Sequence, residues 1–593
     1  MITLNKEQDV AVNCQGHCVV TACPGSGKTR VLTARVIRGL SEIETSKERV
    51  IALTYTNRAA DEIRTRLDYE GVESGRLWAG TIHSFALEWI LRPYAPYCEI
   101  LKQGFTVADE YVAANIINSL KKDAGLNYYE SIETGYRRDG SSLNSNDSHS
   151  DVLNKYKDEL RKLKLIDYDD ILYLAYKILE ENKEIGETLG DIFRVVCVDE
   201  VQDIQDLQYG ILSEIYKTNH SLLELFFVGD SDQSIYESLG ALTKTPKEIA
   251  VEFGIDKIEH LNLVGNYRSS QRLIDFYRKF RTNVSYIKSL GKYASHQGLI
   301  TFENQTTSVE DVAPTIAKYI EASLSSGVPP EEICIVAPWW THVRSLARNL
   351  VGLLPDVDFD APGLSPLYCA RDNFWFNVTR LILSTPSASR SRTRIRWANE
   401  AVDELAILTE EHCIDRYKQG RRILRIINSI DIDEQNGFKY LQKAFDIISN
   451  EIGVDIESDT PIKRELDIFL EKIEEKIDSE DYPIENDIDA FRKLFNNPSG
   501  VVVSTCHGVK GEEYETVIAF GLLQGYVPHW NVIFDNNLTD QDKLDRESKL
   551  LYVVFSRAKK NLHLISEKGR KTKSNTPYRT SGLLQTTPFE YNE

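Results

Sequence analysis

The sequence HCVVTACPGSGKT, at residues 17–29, combines a short apolar strand, a tight loop with two glycines and the first residues of a helix that continues as RVLTARVIRGL. A loop of this kind places exposed backbone N–H groups and the positive end of a helix dipole against an anion. The segment Ala22–Thr29 is therefore predicted to hold the phosphates of a nucleotide, with Ala22 where the general pattern has its first glycine.

The positions of this loop have separate expected roles. The ammonium of Lys28 reaches the β- and γ-phosphate oxygens, and the hydroxyl of Thr29 completes the coordination of Mg²⁺. The other residues that form the cradle are Ala22, Cys23, Pro24, Gly25, Ser26 and Gly27.

Two further apolar strands end in polar residues that complete such a site. RVVCVDE at 194–200 places Asp199 to hold Mg²⁺ and Glu200 to polarise the attacking water. LFFVGD at 225–230 is followed by SDQSIY, in which the amide of Gln233 is placed to sense the γ-phosphate and Tyr236 lies just beyond. The first half of the chain is thus predicted to hydrolyse a nucleoside triphosphate.

The same alternation of strands and helices returns later in the chain. ICIVAP at 333–338 and VVVSTCHGVKG at 501–511 begin a second series of strands, which YETVIAFGLL and LHLISE continue. The prediction is an α/β protein with two parallel-sheet cores, each with a mainly helical inserted subdomain. The predicted bounds are 1–88 and 189–265 for the first core, 266–382 and 500–567 for the second, 89–188 and 383–499 for the insertions, and 568–593 for a polar tail.

Composition is that of an ordinary globular protein. The 593 residues are 42% hydrophobic and 27% charged, and no run approaches the roughly 18 apolar residues that a membrane span needs. The opening MITLNKEQDVAVN carries charges where a signal peptide would be apolar, so a cytoplasmic location is expected. A net charge of −20 has the wrong sign for a protein that coats nucleic acid, and any DNA binding must therefore be local.

Three other features have more than one interpretation. Cys14, Cys18 and Cys23 surround His17 with a spacing that fits no common zinc pattern, so buried thiols are favoured over a metal site. The basic run SRSRTRIRW at 389–397 is either a solvated helix face or a contact for DNA or a partner. The acidic run at 465–489 is expected to be a solvated face, and the first insertion is expected to be polar.

Taken in order, these segments resemble the UvrD/PcrA/Rep family of superfamily 1 helicases, whose fold is two RecA-like cores. The resemblance runs from residue 4 to about residue 564. The segments that carry it are LNKEQ (4–8), ALTYTNRAADEIRTRL (52–67), GTIHSF (80–85), DYDDIL (167–172), VDEVQD (198–203), VGDSDQSIY (228–236), NYRSS (266–270), STCHGVKGEEYE (504–515) and LLYVVFSRAKKNL (550–562).

The resemblance implies ATP as the nucleotide and Mg²⁺ as the metal. It makes Gln8 the amide that reads adenine, places the adenine between Arg30 and Tyr267, and assigns the ribose to Glu513. It also makes Arg268 and Arg557 the arginine fingers.

Both arginines are expected on the second core, so that closure of the cleft between the cores would be needed for hydrolysis.

The resemblance also implies single-stranded or tailed duplex DNA as the partner. The matching DNA-contact positions are Thr54, Tyr55, Asn57, His83 and Tyr236. Aromatic rings stack on bases of any sequence, which suits a motor that translocates along DNA of every composition. The family's 3′–5′ polarity is carried over as an expectation.

The sequence departs from the family pattern at several points. Ser238 and Leu239 stand where the family has a tryptophan or phenylalanine and an arginine, Glu512 replaces an apolar residue, and the second insertion is short. ATPase activity is therefore expected more firmly than processive unwinding.

Two alternatives follow from these departures. One is a subunit like the helicase-like component of phage-defence systems such as Gabija, which would work with a separate nuclease. The other is a binding module or regulated ATPase that does not unwind DNA.

Overall fold

The computed structural model describes residues 3–108, 110–127, 130–144, 146–218, 223–237, 240–282, 286–361, 367, 373–387, 390–409, 415–478, 486–493, 495 and 499–592. The chain divides into two units. The first comprises Met1–Arg268 and Thr282–Lys292, and the second comprises Ser269–Arg281 and Tyr293–Glu593.

The strands, in chain order, are β1 (Cys18–Ala22), β2 (Arg49–Thr54), β3 (Leu77–Thr81), β4 (Thr106–Val107), β5 (Leu165–Ile166), β6 (Phe193–Val198), β7 (Glu224–Gly229), β8 (Glu259–Leu263), β9 (Gly265–Asn266), β10 (Lys288–Ser289), β11 (Leu299–Ser308), β12 (Ile333–Ala337), β13 (Phe359–Asp360), β14 (Val501–Thr505), β15 (Tyr514–Ala519) and β16 (Ala558–Lys568).

The α-helices, in chain order, are α1 (Lys6–Val12), α2 (Lys28–Ser41), α3 (Asn57–Tyr69), α4 (Ile82–Ala86), α5 (Arg92–Tyr94), α6 (Glu110–Asp123), α7 (Asp147–Lys162), α8 (Tyr168–Glu181), α9 (Lys183–Ile192), α10 (Asp206–Thr218), α11 (Pro246–Phe253), α12 (Gln271–Tyr277), α13 (Val312–Ser325), α14 (Trp340–Leu353), α15 (Phe374–Leu383), α16 (Ser391–Thr409), α17 (Arg416–Asn428), α18 (Gly437–Ile452), α19 (Pro461–Ile477), α20 (Ile488–Lys493), α21 (Trp530–Ile533), α22 (Asp540–Phe555) and α23 (Gly582–Thr586).

The first unit is built on a six-stranded sheet in the order β3-β2-β6-β7-β1-β8. Every pair of neighbouring strands in it is parallel. Because side chains alternate across a strand, Ile51 and Leu53 face one apolar cluster while Val50 and Ala52 face the other. Both faces are therefore covered, as parallel sheets require, and the carboxyl ends of all six strands lie at one edge.

The helical insertion of the first unit is less polar than predicted. Ile171, Leu172 and Ala175 of α8 are buried against the sheet, so this helix belongs to the main core. A second small core forms around Leu153, Tyr156 and Leu160 of α7. The prediction of a polar insertion was wrong for α8 because its polar residues alternate with an apolar stripe at helical spacing.

The second unit also contains a six-stranded parallel sheet, in the order β11-β16-β15-β12-β14-β13. Its central strands carry Ile333, Ile335, Val503 and Ile518, all fully buried under α13 and α14. The predicted α/β class with two parallel-sheet cores is confirmed.

The basic run of the second insertion has an internal role that neither interpretation anticipated. Arg394, on α16, is buried, and its guanidinium donates to the carbonyl oxygens of Leu381 and Ser384 at 2.8 and 2.7 Å. It thus bonds carbonyls at the end of α15 that have no partner within that helix.

In the acidic run, Leu466, Phe469 and Ile473 of α19 are buried, so only part of that run is a solvated face.

The division between the units falls after Arg268, close to the boundary predicted after residue 265. Asn266 and Tyr267 bond the phosphate loop of the first unit. Ser269 donates to the carbonyl of Ala558 at 2.6 Å, within the second unit. The chain therefore changes unit between two adjacent residues of the NYRSS segment.

The end of the chain packs on the second unit. The ring of Phe589 lies 4.7 Å from that of Phe276, and the ring of Tyr591 lies 5.1 Å from that of Phe302. The backbone N–H of Asn592 donates to the carbonyl of Ile300 on the edge strand β11 at 2.7 Å. The segment predicted as a polar tail thus contains two aromatic anchors. Within the described part of the chain, no helix combines the length and apolarity needed to cross a membrane.

Candidate functional site

The phosphate loop lies where β1 meets α2, at the carboxyl edge of the first sheet. Gly25 and Gly27 have φ values of +65° and +82°, a region that favours glycine. The first turn of α2 has no hydrogen bond from a capping side chain, so its N–H groups can face an anion. The hydroxyl of Ser26 is buried and has no hydrogen-bond partner in the described part of the chain. Loop and helix therefore fit a phosphate group.

Both glycines are also required by close neighbours. A Cβ atom on Gly25 would lie 2.5 Å from the Cβ of Arg268, and one on Gly27 would lie 2.8 Å from Nε2 of Gln8. A larger residue at either position would displace a predicted nucleotide contact.

Lys28 meets the carboxylate that ends the central strand β6. Its Nζ lies 3.0 Å from Oε2 of Glu200. Burial opposes the charge on Lys28, but the carboxylates of Glu200, Asp230 and Asp199 outweigh this effect and raise its pKa. The lysine is therefore held charged at the position where phosphate oxygens would bind.

Asp199 lies deeper than Glu200. Burial, and then repulsion by Glu200, raise its pKa to about 7. A divalent cation is the ligand that would relieve this crowding of carboxylates, and Asp199 with the Thr29 hydroxyl is a donor set of the oxygen type that Mg²⁺ prefers. The residues present thus fit Mg²⁺.

The predicted γ-phosphate sensor is anchored on the neighbouring strand β7. Nε2 of Gln233 donates to Oδ2 of Asp230 at 2.8 Å. Gln202, which sequence reasoning did not single out, stands between this strand end and Glu200. It donates to Oε2 of Glu200 at 2.5 Å and accepts from the backbone N–H of Asp230 at 3.0 Å. Its place within VDEVQD was the only signal that pointed to it.

The predicted adenine contacts gather around the N-terminal segment. Gln8 is buried and donates from Nε2 to the carbonyl of Ser26 at 2.8 Å, while its Oε1 accepts from the N–H of Asn5. Nδ2 of Asn5 donates to the hydroxyl of Tyr267 at 2.5 Å. The exposed Arg30 donates to the carbonyl of Thr3 at 3.5 Å. Gln8, Arg30 and Tyr267 are thus brought together beside the phosphate loop.

Arg268 lies with the first unit, whereas the sequence analysis placed it on the second core. The physical reason is the buried Asn266. Its Nδ2 donates to the carbonyl of Pro24 at 2.6 Å, and its Oδ1 accepts from the N–H of Arg268 at 2.9 Å. Tyr267 adds a backbone bond to the carbonyl of Gly25 at 2.8 Å. Asn266 was not singled out from the sequence, and it fixes both the phosphate loop and the arginine.

The predicted DNA contacts follow β2 and β3 at the same carboxyl edge. The rings of Tyr55 and Tyr236 stack with centroids 4.8 Å apart and planes at 18°. Tyr55 is 42% exposed, which makes this pair a surface feature and not part of the core. Asn57 begins α3, and His83 on α4 contacts the ring of Tyr168. Thr54 is buried, and its hydroxyl donates to the carbonyl of Thr56 at 2.8 Å. Its side chain is therefore bonded to the neighbouring backbone.

The remaining predicted nucleotide contacts lie in the second unit. Glu513 precedes β15 and Arg557 precedes β16, two neighbouring parallel strands. Both residues are therefore at the amino edge of the second sheet. Arg557 is buried, and its Nε donates to the carbonyl of Val553 at 2.8 Å. The carboxylate of Glu513 lies 3.5 Å from Nζ of Lys559.

A second surface in this unit was not recognised from the sequence. We call residues 568–579 the basic turn, because its exposed side chains include Lys568, Lys571, Lys573 and Arg579. It packs on an aromatic cluster of Tyr526, Trp530, Phe534 and Tyr578, in which Trp530 stacks on Phe534 at 5.2 Å and donates to the Tyr578 hydroxyl.

Phe534 is 71% exposed. The basic turn follows β16 and so lies at the carboxyl edge of its sheet. The sequence signal was the run KGRKTK, which was grouped with the polar tail.

Two of the departures from the family pattern, Ser238 and Leu239, lie outside the described residues. Glu512, the third, is half-buried, and its carbonyl accepts from the Arg557 guanidinium at 3.3 Å.

The three cysteines near His17 show no metal arrangement. Cys18 and Cys23 are buried thiols, of which Cys23 donates to the carbonyl of Gly265 at 3.9 Å, and His17 exchanges hydrogen bonds with Tyr216 and the backbone of Leu225.

Comparison with known proteins matches this arrangement to two domain families. The UvrD/REP helicase N-terminal domain matches residues 4–253, and the UvrD-like helicase C-terminal domain matches residues 396–569. The chain belongs to the UvrD/PcrA-like family of superfamily 1 helicases. Family membership supports a DNA helicase and ATPase function for this protein.

Individual family members align over nearly the whole chain. The ATP-dependent DNA helicase PcrA of Staphylococcus epidermidis is 24% identical over 97% of this chain and 85% of its own length. The ATP-dependent DNA helicase PcrA of Staphylococcus aureus is 23% identical over the same shares. The resemblance stated from the motifs is confirmed.

Proposed function

We propose that this UvrD/PcrA-like protein is an ATP-dependent DNA helicase or translocase whose ATP hydrolysis is stimulated by single-stranded DNA and which moves 3′ to 5′. One observation carries the proposal. The Lys28–Glu200 pair and the exposed Tyr55–Tyr236 stack both lie at the carboxyl edge of the first sheet. A nucleotide site and a base-stacking surface on one rigid sheet support a motor in which each responds to the other.

The polar groups of the site support hydrolysis. When a γ-phosphate takes the ammonium of Lys28, the carboxylate of Glu200 is released to orient a water and accept its proton. Gln233, held by Asp230, is placed one strand away, where its amide can respond to the γ-phosphate. Thr29 and Asp199 would hold Mg²⁺, which would supply positive charge to neutralise the triphosphate.

Positive charge near the transferred phosphoryl group comes from arginines. Arg268 supplies it from the segment that Asn266 ties to the phosphate loop. Arg557, which precedes β16, is the proposed second finger, and Glu513, which precedes β15, is the proposed ribose contact. Gln8, Arg30 and Tyr267 hold the adenine.

Single-stranded DNA binds through stacking more than through charge, because the protein carries a net charge of −20. Tyr55 and Tyr236 provide the stacking surface on the first unit, with Asn57, His83 and the backbone at Thr54 beside it. The aromatic cluster and the basic turn provide a second surface, where exposed cations lie near the exposed ring of Phe534.

Steady-state ATP hydrolysis with and without single-stranded DNA tests this proposal. DNA should stimulate turnover of the native protein, and Lys28→Ala should abolish it. Lys102→Ala is the matched control, because Lys102 is a solvent-exposed lysine in the same unit. Native turnover that is absent or indifferent to DNA would contradict the motor function.

The direction of movement needs its own measurement. Duplexes with a 3′ or a 5′ single-stranded tail should be compared in a strand-displacement assay. Unwinding of the 3′-tailed substrate alone supports the proposed polarity, and preference for the 5′ tail overturns it.

The alternative of an ATPase subunit in an anti-phage complex stays a prediction. It requires a stable complex with a nuclease. Purification from the native host under mild conditions tests it, and isolation of the protein alone counts against it.

A further inference from the structure

Glu200 has a backbone conformation that needs external support. Its φ of +48° lies in the left-handed region, which non-glycine residues rarely adopt. Such a conformation persists only where surrounding contacts fix it, and it is often found where a side chain must be held for function. The N–H of Glu200 donates to its neighbour Asp199, and its carboxylate meets Lys28. The Lys28 contact is the one that a phosphate would replace.

A further contact of the Glu200 carboxylate is to Gln202, which is not a phosphate-binding residue. The side chain of Gln202 is 1% exposed and its amide is used at both ends. Nε2 donates to Oε2 of Glu200 at 2.5 Å, and Oε1 accepts from the N–H of Asp230 at 3.0 Å. A side-chain amide carries both a donor for a carboxylate and an acceptor for a backbone N–H, so Gln202 can make both bonds at once.

The backbone of Gln202 is fixed as tightly as its side chain. Its carbonyl accepts from the hydroxyl of Ser234 at 3.2 Å and from that of Thr243 at 3.3 Å. The Cβ of any larger residue at Gly229 would collide with Oε1 of Gln202. Gln202 is therefore held through its side chain and its carbonyl, in part by Ser234 of the loop that carries Gln233.

The geometry assigns Gln202 as the positioning residue that holds the Glu200 carboxylate in register with the γ-phosphate sensor. Its two bonds connect the end of β6, which carries Glu200, to the end of β7, where Asp230 holds Gln233. The amide of Gln202 thus fixes the position of the proposed base Glu200 relative to the strand end that holds the proposed sensor Gln233. This inference rests on the proposed function, since it requires that Glu200 act in ATP hydrolysis.

Two variants and a control test the assignment. Gln202→Met keeps the length and apolar bulk of the side chain but removes both bonds. Gln202→Glu keeps the acceptor for Asp230 and replaces the donor with a carboxylate facing Glu200. Gln208→Met is the matched control, because Gln208 is a buried glutamine on the next helix whose Oε1 accepts from the N–H of Gln205 at 3.1 Å, away from Glu200.

The expected result is a loss confined to the chemical step. Both Gln202 variants should lower kcat roughly 10- to 100-fold, the range for groups that orient a functional side chain. The KM for ATP and the affinity for a non-hydrolysable ATP analogue should stay close to those of Gln208→Met. The melting temperature should fall in both variants, because Gln202→Met leaves the buried N–H of Asp230 without its acceptor and Gln202→Glu buries a second carboxylate against Glu200. A merely structural role would lower analogue affinity together with kcat.

The assignment is overturned if Gln202→Glu hydrolyses ATP as fast as Gln208→Met, or if its loss of kcat is matched by a loss of analogue binding. If Gln202→Met fails to fold, Gln202→Glu alone decides. Native protein is measured in the same assay. If the native protein shows no ATPase activity, the proposed function itself is contradicted. If the native protein and the Gln202 variants are all active, only the assignment of Gln202 is contradicted.

Discussion

The ammonium of Lys28 and the carboxylate of Glu200 form an ion pair at 3.0 Å, in which each neutralises the other. ATP binding must exchange this bond for one between Lys28 and phosphate oxygens. The Glu200→Gln variant removes the competing charge but keeps the shape of the side chain. It should bind ATP at least as tightly as the native protein, while kcat falls by about 10²- to 10⁴-fold because a general base is lost. Equilibrium binding and single-turnover hydrolysis measure the two effects, and native-like turnover would exclude Glu200 as the base.

Gly25 and Gly16 offer a matched pair for the phosphate loop. Both have positive φ, but a Cβ at Gly16 would meet nothing within 4 Å, whereas one at Gly25 would meet Arg268. Gly16→Ala should therefore show only the conformational cost, about 1–2 kcal/mol in the free energy of unfolding. Gly25→Ala should add a loss in kcat/KM for ATP of about 10²-fold, because Asn266 and Arg268 must move. Denaturant unfolding and ATPase assays check this, and equal effects of the two changes would contradict it.

The Tyr55–Tyr236 stack should contribute to strand affinity. Each ring is expected to be worth about 1–3 kcal/mol of binding when replaced by alanine, so Tyr55→Ala or Tyr236→Ala should raise the Kd for single-stranded DNA markedly. Tyr69→Ala is the control, because Tyr69 is 79% exposed on α3 and makes no such stack. Fluorescence anisotropy with oligonucleotides of mixed sequence measures the effect. Unchanged affinity in both variants would mean that the strand takes another path.

His563 should make the second unit sensitive to acid. Burial lowers its pKa to about 4, below the ordinary 6.5, while its Nδ1 bonds the Thr301 hydroxyl at 2.8 Å. The unfolded chain therefore binds a proton below pH 6.5 that the folded chain refuses until about pH 4. The contribution of His563 to the free energy of unfolding is complete above pH 6.5. It is lost as the pH falls from 6.5 to about 4, by roughly 3 kcal/mol in total.

His563→Gln should flatten this part of the stability profile. His296→Gln, which changes an exposed histidine of the same unit, should leave it unaltered. Chemical unfolding between pH 4 and 8 provides the comparison. Parallel profiles for the native protein and His563→Gln would show that other groups control acid sensitivity.

Much of the fold was readable from local sequence because its signals are local. An apolar strand, a glycine loop and a helix start are contiguous at residues 17–29, and the carboxylates directly follow β6. The parallel sheets followed from the alternation of such segments. These signals do not depend on which residues meet in three dimensions.

The contacts that could not be predicted join segments far apart in the chain. Asn266 bonds the carbonyl of Pro24 across 242 positions, and nothing near either residue indicates the contact. As a result, Arg268 was expected on the second core. The charge of Arg394 predicted a solvated face or a contact for DNA or a partner, whereas its guanidinium is buried inside the second insertion. Charge and periodicity describe a residue's own segment, whereas burial depends on what packs against it.

The ten-residue strand β11 lies at the edge of the second sheet, where a row of backbone groups is open to pairing. Asn592 occupies part of that row through Ile300, and Phe589 and Tyr591 fix the segment beside it. An unprotected edge of this kind recruits strands from other molecules. The segment from Phe589 to Asn592 therefore covers part of an edge to which a strand of another molecule could otherwise add.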